Sequence, residues 1–269
     1  MTLGSVRSIP VLMYHEVNRP AQAWSHLSVS PAAFKEQLSY LRDNGYSTLT
    51  GGALASLLIG GAPVPPRTVV LTFDDGFEDF HRYAMPALVE HGFTATVFVT
   101  TGWVQDADFG SDVRRPAHML SWSQVAEAAT AGMEVGAHSC EHPQLDQIPA
   151  SRLRDELYAS KAALEDKLQI PVPGLAYPYG YSNPLVREMS RKADYSYGYA
   201  VRNMLTNPGS DVFRLPRLTV HQSTRLPEFR RLVEGELAFS MIRDRALSAG
   251  WSVVRRSKGA LADATRDRD

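Results

Sequence analysis

Short apolar, β-branched runs alternate along this sequence with longer amphipathic segments, and this alternation constrains the fold more than any other feature. The runs RTVVLTF (residues 67–73) and FTATVFVT (residues 93–100) are typical of buried strands. Helix-like segments lie between such runs; Ser30 and Pro31, for example, form a start signal for a helix whose apolar face would carry Phe34. Strands that alternate with helices favour a mainly parallel sheet, and about seven candidate strands favour a closed or nearly closed α/β barrel over an open sheet.

The size and charge of the chain fit one barrel domain and exclude some partners. Barrels of roughly 200–250 residues are commonly single domains, and this chain has 269 residues. Its net charge is −1, so we expect neither a nucleic-acid partner nor binding to an anionic membrane. The single cysteine, Cys140, excludes an intrachain disulfide and a zinc site built from cysteines.

The lengths of the apolar runs indicate where in the cell the protein is expected. The opening MTLGSVRSIPVLMYHEV holds one arginine and an apolar run too short for a secretory signal. No run approaches the roughly 20 apolar residues that a membrane-spanning helix requires. These features predict a cytoplasmic protein without a transmembrane segment, and they leave the oligomeric state open.

Polar residues follow several predicted strands at their carboxyl ends, which is where parallel α/β folds carry their chemistry. The residues at or just past these ends are His15, Asp74, Asp75, His138, Pro178 and His221. We therefore take these positions as candidates for one shared site.

Two adjacent carboxylates follow one of these strands in the motif TFDDG (residues 72–76). The like charges of Asp74 and Asp75 repel each other, so the pair requires a nearby cation or a proton. A polar turn at the end of a strand would have the same sequence, and the pair taken alone favours that turn.

Two histidines follow another strand in AHSCEHP (residues 137–143). His138 and His142 are four residues apart, the spacing of one helical turn, so both imidazoles can reach one ion. With one carboxylate they would form a three-ligand set that leaves positions open for water and substrate. A histidine pair alone also occurs by chance on surface helices, but the combination with TFDDG makes chance a poor explanation.

Taken together, TFDDG, HSCEHP (residues 138–143) and YPYG (residues 177–180) resemble the motifs of the polysaccharide deacetylases with a NodB-homology domain, and they follow that family's order. The resemblance covers roughly residues 9–240 as one domain and leaves 241–269 as a C-terminal extension with an end expected to be disordered. It implies a distorted (β/α)7-type barrel and a divalent metal, first of all Zn2+, with Co2+ or Ni2+ as alternatives. The implied chemistry is removal of acetyl groups from N-acetylated sugars.

The resemblance also implies a role for each matching residue. Asp74 corresponds to the catalytic base and Asp75 to the metal-binding aspartate. His138 and His142 correspond to the two metal-binding histidines, and Tyr179 to the residue whose backbone N–H helps to hold the oxyanion. Such a set fits a hydrolysis with a metal that polarises the carbonyl, a base that activates water and an acid that protonates the leaving amine.

One position departs from the family pattern. The family usually has an arginine two residues before the proline of PYG, where it orients the catalytic base, and here that residue is Ala176. Arg217, in the late strand-like run FRLPRLTV, is our candidate for a substitute, and an ordinary surface arginine is the alternative.

Two histidines compete for the role of the general acid. His221, in LTVH, loosely matches the histidine that the family carries on its last strand. His15, in PVLMYHEV (residues 10–17), resembles the opening of circularly permuted relatives that deacetylate poly-N-acetylglucosamine. The first and last strands of a barrel are neighbours, so a residue at the end of either strand can reach the same place. We favour His15, because PVLMYHEV resembles that opening closely and AYPYG without the arginine fits the same branch. A strand that simply ends at the surface is the alternative.

These observations predict a metal-dependent hydrolase, acting on C–N bonds other than peptide bonds, that removes N-acetyl groups from a glycan containing N-acetylglucosamine. An amidase or esterase that acts on a non-sugar acyl group would use the same metal centre. A carbohydrate-binding pseudoenzyme is a third hypothesis, because the motif arginine is absent, although the base and the metal ligands are retained.

Overall fold

The computed structural model describes residues 8–18, 26–107 and 117–236. Its strands are β1 (Val11–Tyr14), β2 (Ser47–Leu49), β3 (Thr68–Phe73), β4 (Thr96–Val99), β5 (Glu134–Ala137), β6 (Gly174–Ala176), β7 (Tyr197–Tyr199) and β8 (Leu218–Thr219). Its α-helices are α1 (Pro31–Asp43), α2 (Gly51–Gly60), α3 (Met85–Glu90), α4 (Trp122–Thr130), α5 (Ala150–Leu168), α6 (Pro184–Lys192) and α7 (Leu226–Glu234). The predicted C-terminal extension at 241–269 lies outside the described residues, so the domain boundary stays a prediction.

The eight strands pair with one another in parallel, which confirms the predicted α/β class. They form one path in the order β7-β6-β5-β4-β3-β1-β8, while the short β2 pairs with β3 beside this path. Leu215, just before β8, pairs in parallel with Tyr199 of β7 and so links the two ends of the path. The result is the distorted (β/α)7 barrel that the sequence predicts.

The first strand lies between β3 and β8, so the start and the end of the chain's sheet are neighbours. Tyr14 is the register partner of Phe73, and the N–H of Asp74 donates to the carbonyl of Tyr14 at 3.0 Å. His15 and Asp74 therefore emerge from adjacent strands at the same edge of the sheet.

The predicted start of α1 is confirmed. The Ser30 hydroxyl accepts the N–H of Ala33, and Pro31 is the first helical residue, where its missing N–H costs nothing. The apolar face behind this cap, with Phe34 and Leu38, is fully buried against the sheet. Burial of a large apolar side chain contributes roughly 1.5–3 kcal/mol, so packing of this face holds the helix in place.

The interior of the barrel has its own apolar core, and α2 reaches into it. Leu54 and Ala55 of α2 pack with strand residues such as Phe98 and Tyr199. Gly51 is required at the start of this helix, because a Cβ there would lie 2.9 Å from the Tyr199 ring. This apolar packing leaves the carboxyl edge of the strands as the place where polar side chains can gather.

The longest helix of the described ranges is α5, with 19 residues. Neither α5 nor another helix in these ranges is long and apolar enough to cross a membrane.

Candidate active site

The carboxyl ends of the strands open into one cavity of about 740 Å³. The sequence-predicted residues that line it are His15, Asp74, Asp75, His138, His142, Tyr179 and His221. Arg217 contacts Asp74 from the barrel interior, and Pro178 is buried in the turn before Tyr179. The candidate residues from five separate parts of the chain therefore converge on one site.

A fully buried arginine binds both oxygens of Asp74. The Nη1 and Nη2 atoms of Arg217 lie 2.6 Å from Oδ1 and 2.7 Å from Oδ2 of Asp74. Nη1 also donates to Thr72 Oγ1 at 3.2 Å, and Nε donates to the carbonyl of Ala200 at 3.4 Å. This two-point contact fixes the plane of the carboxylate, which a lysine could not do. Arg217 is thus not a surface arginine, and its catalytic role stays a prediction.

The charges around Asp74 favour its ionised form. Burial raises the pKa of this carboxyl, but Arg217 and then His138 lower it by more, so the pKa lies below its ordinary range.

Two aromatic rings surround the other partner of this ion pair. The rings of Phe98 and Tyr199 lie 5.8 and 5.7 Å from the guanidinium carbon of Arg217, within cation–π distance. Removal of one partner would leave the other as an unpaired buried charge, at a cost of about 3–5 kcal/mol.

Asp75, His138 and His142 form a cluster whose ligand atoms all lie within 4.8 Å of one another. Asp75 Oδ1 is 3.3 Å from Nε2 of each histidine, yet it is buried without a hydrogen-bond partner in the described part of the chain. His138 Nδ1 lies 2.8 Å from the carbonyl oxygen of Ala176, so Nδ1 is the donor and Nε2 is left free to bind a metal.

The spacing of these atoms fits a metal ion. Ligands held about 2.0–2.1 Å from one tetrahedral zinc are about 3.3–3.4 Å apart, close to the separation of Asp75 Oδ1 from each imidazole. Burial raises the pKa of Asp75, but the two imidazoles outweigh it, and the pKa of this carboxyl lies below its ordinary range. The donor set and the ionised carboxylate therefore both suit a divalent cation.

The two histidines do not lie on a helix, so the argument from one helical turn is wrong. Residues 138–142 form an irregular loop in which Ser139 and His142 have φ values of 64° and 59°. The N–H of His142 donates to Ser139 Oγ at 3.0 Å. Left-handed backbone at non-glycine residues is uncommon and concentrates at functional sites. The imidazoles converge because the loop is tight, not because of helical periodicity.

Both candidate acids line the cavity, but their surroundings differ. His15 Nδ1 is buried without a hydrogen-bond partner in the described part of the chain. Burial lowers the pKa of His15, and the charges of Asp75 and Asp74 oppose this shift without cancelling it. The His221 ring stacks on His26 with centroids 5.8 Å apart. The lowered pKa favours the neutral form of His15, so its position beside the strand that precedes Asp74, and not its charge, is the reason to favour it as the acid. The choice stays a prediction.

Tyr179 lies in a 3-10 turn, Pro178–Gly180, directly after β6, and has a φ of 58°. The turn requires glycine at Gly180, where φ is 73° and a Cβ would lie 2.3 Å from the backbone nitrogen of Val201. The Tyr179 ring lies 4.7 Å from the His142 ring, which also contacts Trp103 at 4.9 Å. One candidate metal ligand is therefore packed against two aromatic rings at the cavity.

Comparison with known families decides the affiliation. The family model for polysaccharide deacetylases matches residues 61–198, about half of the chain. The chain belongs to the polysaccharide deacetylase family. The matched segment contains TFDDG, HSCEHP and YPYG, so the motifs that suggested this hydrolase family lie within it.

Curated relatives and a solved structure extend the likeness. The poly-beta-1,6-N-acetyl-D-glucosamine N-deacetylase of Escherichia coli K12 is 25% identical over 255 residues, which cover 82% of this chain and 38% of that enzyme. The enzyme of the same name from Staphylococcus aureus MRSA252 is 26% identical and is matched over 72% of this chain and 68% of its own length. This chain thus spans well under half of the E. coli enzyme.

The deacetylase PplD of Streptococcus pyogenes, solved in complex with acetate, has the same fold. Its TM-score is 0.76 at 26% identity, and the match covers 85% of this chain and 99% of that structure. The likeness agrees with the barrel described above and confirms the polysaccharide deacetylase fold.

Some residues that line the candidate site belong to no motif. The cavity is also lined by Met13, Leu27, Val201 and Thr219. Residues of these types are common in any core, so the sequence carries no signal for them. Sequence reasoning also missed Glu156, although the sequence carries a signal for it. Glu156 is buried on the same face of α5 as Leu153 and Leu157, and a carboxylate on the apolar face of a helix indicates a buried acid that has a partner.

Proposed function

We propose that this protein is a metal-dependent glycan N-deacetylase that removes acetyl groups from N-acetylglucosamine residues. The names of the E. coli and S. aureus relatives support this substrate class, and the S. pyogenes deacetylase was solved with acetate, the product such a reaction releases. A cavity of about 740 Å³ falls within the usual range for small-ligand sites, so it has room for a sugar ring.

Asp75, His138 and His142 are the residues that would hold the metal. Two imidazoles and one carboxylate suit Zn2+, or Co2+ and Ni2+, better than Mg2+ or Ca2+, which prefer oxygen ligands. When bound, the ion supplies Lewis acidity for hydrolysis of the amide.

Asp74 is suited to take a proton from the attacking water. It is ionised, it lines the cavity, and Arg217 holds both of its oxygens in a fixed plane. The general base must be oriented as well as ionised, because proton transfer requires hydrogen-bond geometry toward the water.

His15 is suited to protonate the departing amine. An amine cannot leave as an anion, so a proton donor is required on the side of the leaving group. His15 follows β1, the direct neighbour of the strand that carries Asp74, and it lines the same cavity. The backbone N–H of Tyr179 would donate to the oxyanion as the carbonyl oxygen gains charge.

The observation that supports the proposal most strongly is that the Arg217–Asp74 ion pair and the Asp75–His138–His142 cluster lie at the same cavity. The missing motif arginine was the reason to consider a carbohydrate-binding pseudoenzyme. The buried guanidinium of Arg217 removes that reason, because it binds the Asp74 carboxylate from the segment just before β8. Hydrolysis of a non-sugar acyl group stays the alternative, since the same centre would cleave it.

Acetate release from N-acetylglucosamine oligomers tests this proposal. Metal-stripped protein is assayed with and without Zn2+ or Co2+, beside His15→Ala and His221→Ala. We expect metal-dependent release that falls by about 100-fold or more in His15→Ala and persists in His221→Ala.

Other outcomes have definite meanings. Loss of release in His221→Ala but not in His15→Ala would make His221 the acid. Release only from non-sugar acyl substrates would establish the alternative activity. Absence of release from both substrate classes with every metal would contradict the proposal.

The cytoplasmic location and a domain boundary near residue 240 also remain proposals. Cell fractionation would test the first, and limited proteolysis followed by mass spectrometry would test the second.

A further inference from the structure

The loop that carries the two histidines is fastened to the segment after β4. We call residues 138–142 the histidine loop. The N–H of Thr101 donates to the carbonyl of Ser139 at 3.1 Å, and the N–H of Gly102 donates to the carbonyl of Cys140 at 2.8 Å. These bonds hold the carbonyl side of the histidine loop.

The N–H side of the histidine loop is held by one carboxylate. Glu156 Oε2 accepts the N–H of Cys140 at 2.8 Å and the N–H of Glu141 at 3.0 Å. Glu156 lies on α5 and is only 4% exposed. Two successive N–H groups that face one anion form a strong anion-binding concavity, and bonds to an ionised acceptor are stronger than neutral ones.

An exposed arginine joins the same two elements on the solvent side. Arg152 Nη2 lies 2.9 Å from Glu141 Oε2, and its Nε lies 3.9 Å from Glu156 Oε1. The Arg152 side chain is about half exposed, so water weakens its contribution. The buried contact of Glu156 is therefore the stronger link between α5 and the histidine loop.

We propose that Glu156 is a positioning residue that keeps the histidine loop in the conformation in which His138 and His142 both face Asp75. The proposal rests on the metal site proposed above. Ser139 and His142 have left-handed backbone, which persists only where surrounding contacts enforce it. Without Glu156, two N–H groups between the histidines lose their acceptor, and the loop relaxes to hydrogen-bond with water.

The test is the affinity of metal-stripped protein for Co2+, measured by competition with a chromophoric chelator, together with the absorption spectrum of the Co2+ protein. Glu156→Ala removes the acceptor. Glu156→Gln keeps a carbonyl oxygen of the same reach, and one oxygen suffices because both bonds end on Oε2. Glu165→Ala is the matched control, since Glu165 also lies on α5 and accepts a backbone N–H, that of Val172 at 2.9 Å, away from the histidine loop.

We expect Glu156→Ala to bind Co2+ about 10- to 100-fold more weakly, with an altered spectrum. Glu156→Gln should stay within about threefold of the wild type, because the hydrogen bonds are weakened and not lost. Glu165→Ala should bind Co2+ as the wild type does, even where it lowers stability. A merely structural role of Glu156 would make the two alanine variants behave alike.

Wild-type affinity and spectrum in Glu156→Ala would overturn the proposal. If that variant does not fold, Glu156→Asp, shorter by one methylene, decides by the same readouts, and unchanged Co2+ affinity there would overturn it as well. Failure of the wild-type protein itself to bind Co2+ would instead overturn the metal site and, with it, the proposed function.

Discussion

At the scale of single residues, two adjacent carboxylates serve different partners because the backbone turns between them. Asp74 faces Arg217, whereas Asp75, with a φ of 74°, faces His138 and His142. The left-handed conformation at Asp75 sends consecutive side chains to separate partners. The repulsion expected in TFDDG is thereby relieved without a shared proton.

Replacement of Arg217 by lysine tests whether orientation of Asp74 matters beyond charge. We expect kcat for acetate release to fall by about 100-fold or more, because lysine keeps the charge but cannot bind both carboxylate oxygens. Steady-state kinetics measures the loss, and circular dichroism checks the fold. Arg187→Lys, at a partly buried arginine 3.7 Å from Asp211, is the control and should keep its activity. Wild-type kcat in Arg217→Lys would show that the two-point contact is dispensable.

Sequence reasoning reached Asp74 and His138 because both follow strands, and the ends of parallel strands meet at one edge. Arg217 could be named only as a candidate. It lies 143 positions from Asp74, and no local pattern couples residues so far apart. The contact depends on β8 lying beside β1, which is a property of the closed barrel.

At the scale of elements, the buried side chain of Asp79, in the connection after β3, hydrogen-bonds to the backbone of the segment after β1. Asp79 Oδ1 accepts the N–H of Val17 at 2.9 Å. Burial raises the pKa of Asp79 to about 7, and the nearby Glu16 and Glu78 add to the shift. The ordinary pKa of aspartate is about 3.9, so the folded state binds this proton more tightly than the unfolded state. Protonated Asp79 therefore stabilises the folded state fully below about pH 4, and this stabilisation is lost as the pH rises to about 7.

Asp79→Asn should remove this pH dependence, because asparagine keeps the acceptor for Val17 and cannot ionise. We expect the variant to exceed the wild type in free energy of unfolding by on the order of 4 kcal/mol at pH 8, and to equal it near pH 4. Urea denaturation of both proteins across this range measures the difference, in which the contributions of other groups cancel. A difference that does not change with pH would contradict the assignment.

Elements were predictable where local rules govern them. Ser30 and Pro31 start α1 as expected, because capping depends on near neighbours. The histidine loop was not predictable, because its shape depends on tertiary bonds to Glu156 and to the segment after β4. The predicted strand in FRLPRLTV shrinks to Leu218–Thr219, since Pro216 has no N–H to donate to a ladder.

At the scale of the whole molecule, barrel closure brings together groups that are distant in sequence. The repeated strand–helix alternation was enough to predict the class of fold, because parallel strands require such crossovers. The strand count favoured a closed or nearly closed barrel, but the residues that pair where the barrel closes, Leu215 and Tyr199, make a long-range contact that no local pattern predicts. The site is therefore a property of the closed barrel, and its assembly is coupled to global folding.

This coupling predicts that a metal stabilises the entire fold. Asp75 follows β3 and the two histidines follow β5, so a bound ion would join elements that separate on unfolding. An ion at 100 times its Kd adds about 2.7 kcal/mol to a folded state that alone binds it. For a domain of this size, that raises Tm by roughly 5–10 °C.

Calorimetry of the metal-stripped protein with added Zn2+ measures this shift in Tm. Mg2+ should cause no shift, because it prefers oxygen ligands. The His142→Ala variant should lose most of the Zn2+ shift, and an undiminished shift there would place the ion elsewhere.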